Sequence, residues 1–427
     1  MRVLDSLRQA RLHFASRRHA HASDEVEAAV RVIVDDARTR GDDAVLDATR
    51  RFDGVELESL ILPKDDWSNL ASRVDQRTKS AIDASFGRIR SYYEKQQDGG
   101  FESRDGSALL GQLIRPISSV ATYVPGGTAP LFSTVLMTGT PALVAGVSRI
   151  VVATPPTRDG LVPPEVAYAA KLVNASEIVR VGGAQAIAAL AYGTQTLSPV
   201  DKIVGPGNAY VVAAKRMVFG AVGIEALPGP TETLVLASPE ANPSHAASDL
   251  LAQAEHLDAQ PVLVTWSETL LTRILADLEE QLGLLPDPSM ARQSIEERGL
   301  AILVSDEMEA IEASNLYAPE HLCLLTSDPW SLLPHVKHAG GIFLGDYSME
   351  ALGDYIAGPS HVMPTGGTAR FASFVNLRDF QKVIPFVSGT AEWVDSIGPD
   401  AVVMARAEGL EAHARAIESR LGPRDDE

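Results

Sequence analysis

Apolar residues in the early part of the chain recur at three- and four-residue intervals, as in EVEAAVRVIVDDARTRGDDAVLDATRRF, the period of helices that bury one face. Ser23-Asp24, just ahead of that run, supplies a helix cap. A mainly helical region is therefore expected over residues 1–117. From residue 118 the pattern changes. Short apolar runs, SVATYV, RIVVATP, EIVRVGG and DKIVGPGN, alternate with the helical stretches STVLMTGTPALVAG, PPEVAYAAKLVNA, AQAIAALAYG and AYVVAAKRMVFG. Such alternation predicts a parallel sheet covered by helices. A break at Leu227-Pro228-Gly229-Pro230 precedes a second run of the same kind, with strands in TETLVLAS, PVLVTWS, LAILVSD, EHLCLLT and GGIFLGD. After Asp346 the alternation gives way to a Gly/Pro-rich loop, GPSHVMPTGGTARF, and the chain closes in the helical AEGLEAHARAIESRL. The expected fold class is α/β: parallel-sheet halves over 118–227 and 228–365, a small helical N-terminal appendage, and a helical tail over 366–427.

Composition narrows the functions this fold can serve. The 427 residues are 45% hydrophobic and 22% charged, the make-up of a globular protein with two or three domains. A net charge of −19 repels a polyphosphate backbone, so nucleic acid is not an expected partner. The single cysteine, Cys323, cannot form an internal disulfide, and it fits a buried position in the strand HLCLL and a reducing compartment. The opening MRVLDSLRQARLHF reads as an amphipathic helix without the apolar core of a secretory signal. No run approaches the roughly 20 apolar residues of a membrane span. The expectation is a cytoplasmic protein with a small-molecule substrate and no membrane association.

Candidate chemistry is spread along both halves. Tyr123, Gln185 and Asn208 each follow a predicted strand, at the edge where open α/β sheets bind ligands. The adjoining turns, PGGTAP, VGGAQA and VGPGNAY, allow close backbone approach and open helices whose N-termini favour anions. None is a GxGxxG fingerprint, and tight strand-to-helix turns need glycine in any case, so spacing alone leaves nucleotide binding and plain turn geometry both open. In the second half, Gln253 and His256 are three residues apart at the end of a helix and can share a face, although such a pair is as a rule merely solvated. Asp354, in the loop after GGIFLGD, and His413, in the tail helix, add a carboxylate and an imidazole. An amide, two imidazoles and a carboxylate suit an open, catalytic zinc site, but sequence alone does not bring them together. Glu320-His321 sets a carboxylate beside an imidazole suited to proton transfer near neutrality, and neighbours in sequence serve separate steps better than one hydrogen-bonded dyad. His13, His19 and His21 are placed on the N-terminal helix, and His245, His335 and His338 on helix surfaces, while His361 is a wall residue near Asp354.

Taken together, YVPGGTAPL, VGGAQAIAALAYGT, GPGNAY, QAEH, YAPEHL, GDYIAGPSH and EGLEAH, in this order, strongly resemble the L-histidinol dehydrogenase family over nearly the whole chain. The resemblance implies two incomplete Rossmann-like domains, a homodimer, and a C-terminal segment that reaches the partner's active site, so that Glu408 and His413 act in trans. It implies zinc, one per subunit, bound by Gln253, His256, Asp354 and His413, and NAD contacted by Tyr123, Gln185 and Asn208. Substrate contacts would come from Thr231, His321, Glu408 and the metal ligands.

The reaction implied is the four-electron oxidation of L-histidinol through the aldehyde to L-histidine with two NAD, the last steps of histidine biosynthesis. His321 would act as base in both steps, and Glu320 would activate the water that hydrates the aldehyde. One departure stands at LPGPTE, where the family more often has Ala before Gly-Pro and Ser in place of Thr231. The hydroxyl survives with an added methyl, which leaves open a relative that oxidises another polar alcohol, such as a sulfonated diol. A zinc hydrolase using Glu320, and a two-lobed small-molecule binding protein, are the readings from other classes. The Glu320-His321 pair exceeds what mere binding needs.

Overall fold

A computed structural model describes residues 1–15, 23–126, 131–256 and 258–422. His19 and His21, and Gly127 and Thr128 of the PGGTAP turn, lie outside the described residues. The strands in chain order are β1 (Arg2–Leu4), β2 (Phe101–Asp105), β3 (Ala108–Pro116), β4 (Ser119–Tyr123), β5 (Arg149–Ala153), β6 (Glu177–Val179) and β7 (Lys202–Val204). They continue as β8 (Gly223–Ile224), β9 (Glu232–Ala237), β10 (Gln260–Thr265), β11 (Leu300–Leu303), β12 (His321–Leu325), β13 (Gly341–Leu344) and β14 (Gln381–Ser388). The chain divides into a larger unit, Met1–Gln96 with Ile117–Phe380, and a smaller one, Gln97–Pro116 with Gln381–Glu427.

In the larger unit two all-parallel sheets share one winding. The first runs β6-β5-β4-β7-β8 and the second β1-β11-β10-β9-β12-β13. Apart from the added β1, each starts at its central strand, winds to one side, then crosses to the other, which leaves a switch point between β4 and β7 and another between β9 and β12. Every residue of β9 and of β12 is buried, as a sheet covered on both faces requires.

The N-terminal helices cover the first sheet. Ser23 caps the helix Asp24–Arg40 by accepting from the Val26 N–H. Val30, Val34 and Ala37 of that helix pack with Ala121 and Val151 on one face of the sheet. Ile82, Ile89 and Tyr93 of the helix Gln76–Glu94 pack with Val120, Ile150 and Val152 on the other. The segment read from sequence as one amphipathic helix opens instead with a strand, Arg2–Leu4, paired to Leu300–Ile302, and only then forms the helix Leu7–Ala15. Three residues on a sheet edge are too few to write a two-residue period. His13 does lie in that helix.

The smaller unit is an antiparallel sheet, β14-β3-β2, followed by the helices Ala391–Ala407 and Glu411–Glu418. β2 and β3 fall where the pattern predicts helix, and β14 lies within the expected helical tail. No residue of β2 or β14 is fully buried, so neither strand has an inner face for apolar alternation to mark. Pro385 is tolerated because β14 is an edge strand.

Candidate active site

At the first switch point the chain is brought together by its glycines. A Cβ on Gly126 would lie 2.7 Å, and one on Gly182 2.3 Å, from the ring of Pro155, which follows β5. A Cβ on Gly205, at φ +132°, would lie 2.1 Å from the carbonyl oxygen of Tyr123. Only glycine lets the backbones pass this closely. Tyr123, the buried last residue of β4, accepts a hydrogen bond on its hydroxyl from the Gly183 N–H at 3.0 Å, and burial pushes its phenol up to about 12. Gln185 is buried in the first turn of the helix Gly183–Tyr192. Asn208 caps the helix Ala209–Val218, its Oδ1 accepting from the Tyr210 and Val211 N–H groups at 3.1 Å each. The three residues expected to contact NAD thus share the carboxyl edge of one sheet.

Beneath that edge lies an ion pair that reading the sequence missed. Lys215 Nζ donates to both Glu225 oxygens at 2.7 Å and to the Gly205 carbonyl at 2.9 Å, while Glu225 Oε1 accepts from the Gly205 N–H at 2.8 Å. The side chains are 0% and 3% exposed, so both charges depend on each other and on this one peptide. Nothing in AYVVAAKRMVFG distinguishes this lysine from a solvated one, and only its inward position on the helix does so.

In the second half the reactive side chains gather at the opposite, amino edge, where His321 pairs in register with Thr233. The chain enters through Ala318, at φ +54°, which ends the helix Glu307–Tyr317. Glu320 Oε2 accepts from the Thr231 hydroxyl at 2.7 Å and from the Glu232 N–H at 3.0 Å. His321 Nδ1 lies 3.2 Å from the Glu232 carbonyl. A carbonyl only accepts, so Nδ1 carries the proton and Nε2 carries the lone pair. Among the described residues, buried Nε2 has no hydrogen-bond partner, and it lies 4.0 Å from Asp354 Oδ1. Burial lowers the His321 imidazole below its ordinary value, partly opposed by the Asp354 charge. Burial raises Glu320 well above the usual carboxylate range, opposed by its bonds from Thr231 and Glu232. Glu320 Oε2 stands 3.8 Å from His321 Nδ1 and is bonded elsewhere, so the two neighbours act independently.

The remaining expected ligands are placed as follows. Gln253, in the last turn of the helix Pro243–Ala254, is 1% exposed, not a solvated surface residue. His256 lies beyond the C-cap Glu255 and is exposed. Asp354 stands on a short helix, Glu350–Tyr355, where a loop was expected, because the helix is too short to show a period. His361 Nδ1 donates to the Asp354 carbonyl at 2.9 Å. The charges of Asp354 and His256 both act on His321 and on His361, which groups these side chains around one place. Glu408 closes the helix Ala391–Ala407 and His413 lies on Glu411–Glu418, both exposed and both in the smaller unit. His335 lies in a short 3-10 turn and His338 in irregular chain, not on regular helices, whereas His245 lies on the helix Pro243–Ala254. Cys323 is buried in β12.

Among the described residues no three His, Cys, Asp or Glu side chains form a ready metal cluster. The donor set nevertheless fits a divalent cation of zinc type. One end of the buried Gln253 amide bonds to Thr233 at 2.6 Å, and its other end has no partner among the described residues. An orphaned amide end, with a carboxylate and an imidazole acting on the same neighbour, is the chemistry of an open thiolate-free site.

Paired doubly wound sheets, one with a glycine-lined switch point and the other with a buried imidazole and carboxylate, define a two-halved α/β enzyme equipped for proton transfer. The model of the family described as histidinol dehydrogenase matches residues 16–421. A histidinol dehydrogenase of Deinococcus radiodurans is 55% identical over 92% of this chain and 91% of its own, and one of Thermus thermophilus is 48% identical over 96% and 98%. The crystal structure of the Elizabethkingia anophelis histidinol dehydrogenase superposes with a TM-score of 0.93 at 36% identity, covering 98% of this chain and 97% of that one. The chain belongs to the histidinol dehydrogenase family and is an oxidoreductase.

Proposed function

We propose that the protein oxidises L-histidinol through L-histidinaldehyde to L-histidine, with two NAD consumed in turn at one site. The observation that carries this reading is His321 Nε2: buried, unpartnered among the described residues, and kept free of a proton by the Nδ1 bond to the Glu232 carbonyl. Bound NAD would supply the hydride acceptor, and a bound divalent cation would supply Lewis-acid positioning of the substrate. Gln253, His256, Asp354 and His413 would hold the metal, Tyr123, Gln185 and Asn208 the cofactor, and Thr231 and Glu408 would add substrate contacts. His321 Nε2 takes the hydroxyl proton as the alcohol is oxidised. The aldehyde carbon must then become tetrahedral and carry an oxygen able to give up a proton. Glu320, its carboxyl raised by burial, removes a proton from the water that adds there. His321 serves again as base for the second oxidation.

Residues 118–227 are the NAD half of this reading and 228–365 the half that carries the acid–base pair. A homodimer would supply Glu408 and His413 from the partner's tail. Exposed apolar side chains on the smaller unit, Val387 at 65%, Val403 at 68% and Met404 at 66%, support such a covered surface. Among the described residues no helix is long and apolar enough to cross a membrane.

The test is NADH absorbance with L-histidinol, where two NADH per L-histidine are expected and chelation of zinc stops turnover. Turnover of another polar alcohol, such as a sulfonated diol, with none of L-histidinol would replace the substrate. Cofactor-free hydrolysis would overturn the reading.

A further inference from the structure

Behind the amino edge of the second sheet, Gln253, Thr233 and Glu350 form a buried chain that the acid–base chemistry does not use. Their exposures are 1%, 0% and 2%. Thr233 Oγ1 contacts Gln253 Oε1 at 2.6 Å and also hydrogen-bonds with Glu350 Oε2. A threonine hydroxyl has one proton, so it cannot donate to both. The chain therefore runs in one of two directions. If a protonated Glu350 donates to Thr233, then Thr233 donates to Gln253 Oε1 and the amide NH2 faces the unpartnered side. If Thr233 donates to the Glu350 carboxylate, the Gln253 amide turns over. Its Nε2–H then donates to Thr233 Oγ1, and Oε1 faces the side where an amide end has no partner among the described residues. Only the second direction presents an oxygen, because an amide N–H cannot ligate a cation.

We propose that Thr233 and Glu350 are positioning residues that orient the Gln253 amide so that its carbonyl oxygen, and not its NH2, faces a divalent cation. Burial and the Asp354 charge raise Glu350 well above the usual carboxylate range. A divalent cation beside Gln253 would draw it back to the ionised form, in which it accepts from Thr233, ends the chain and sets the direction that Thr233 passes to Gln253. Glu350 Oε2 also lies 3.9 Å from His321 Nδ1, but that nitrogen is bonded to the Glu232 carbonyl, so the Glu350 carboxylate is left to Thr233. The inference rests on the reading of Gln253 as a metal ligand. It adds two residues that touch neither metal nor substrate.

The experiment is zinc affinity of the metal-stripped, full-length protein, measured by competition with a chromophoric chelator using zinc alone. Thr233→Val, nearly isosteric, removes the hydroxyl and is expected to weaken zinc binding about 10–100-fold, the usual effect of losing a group that orients a ligand. Thr233→Ser restores the hydroxyl and the affinity. Glu350→Leu weakens binding similarly, and the double variant Thr233→Val/Glu350→Leu loses no more than the larger single loss, because both interrupt one chain. Unfolding midpoints in urea identify any variant that has merely lost its fold, in which case the Val/Ser pair at Thr233 decides alone. Gln253→Ala separates the two levels of the reading. Unchanged affinity in that variant removes Gln253 from the metal site. Weakened affinity in Gln253→Ala with full affinity in Thr233→Val, or additive losses in the double variant, overturns the orienting role while leaving the ligand in place.

Discussion

The two halves of the larger unit have the same strand order apart from the added β1, and gather their candidate site residues at opposite edges. The first offers backbone: glycine turns and helix N-termini at the carboxyl ends of β4, β6 and β7. The second offers charged side chains at the amino ends of β9 and β12, beside the C-termini of the helices Pro243–Ala254 and Glu307–Tyr317. Helix N-termini carry partial positive charge and C-termini partial negative charge. One edge is therefore suited to the phosphates of a dinucleotide and the other to a cation. On the proposed reading, a repeated fold would serve two ligands of opposite sign through the choice of edge, without a change of topology.

The contrast is broken most severely at the amino edge. His321→Asn is expected to lower kcat by about 10²–10⁴-fold in both oxidation steps, followed as separate single turnovers from the alcohol and from the aldehyde. Glu320→Gln should slow aldehyde oxidation more than alcohol oxidation, and equal loss in both would deny Glu320 a role of its own. With the neutral His321 imidazole as the proposed base and burial lowering its pKa, activity should persist below the ordinary imidazole value of about 6.5 before falling. An acid limb above that value would contradict this.

At the carboxyl edge the largest effect is on stability. Lys215→Met leaves Glu225 buried without its cation and should cost about 3–5 kcal/mol in urea unfolding. In the folded fraction the KM for NAD should rise more than kcat falls, since the Gly205 peptide loses its grip. Gly205→Ala, forced to φ +132° against the Tyr123 carbonyl, should cost about 1–3 kcal/mol in the same titration. An unaffected Gly205→Ala variant would mean that the turn has room it does not show. The smallest change is Thr231→Ser, which keeps the bond to Glu320 and loses one methyl. A loss of about 0.8 kcal/mol is expected, with the ratio of the two oxidation rates unchanged.

These contrasts were unequally legible in the sequence. Apart from the two-residue β8, the strands of both sheets after residue 118 stand in it as apolar runs, because a strand covered on both faces has no polar positions to interrupt it. β1, β2, β3, β8 and β14 do not stand in it, being short or at least partly solvated. Glu320 and His321 were visible as an unusual adjacent pair, and Gln253, His256 and Asp354 through their motifs. Lys215, Glu225, Thr233 and Glu350 left no mark, since a lysine on a helix and a glutamate after a turn look alike whether buried or solvated.

The sequence by itself determined the α/β alternation, the family, and the residue types available for proton transfer and metal binding, because periodicity and motif are local properties of a chain. Only the tertiary structure decided which His321 nitrogen is left free and which charges are sealed inside. Those depend on contacts such as His321 with Glu232 and Thr233 with Glu350, which join residues about ninety or more positions apart. Burial then sets their protonation and orientation, and burial is a property of the packed molecule.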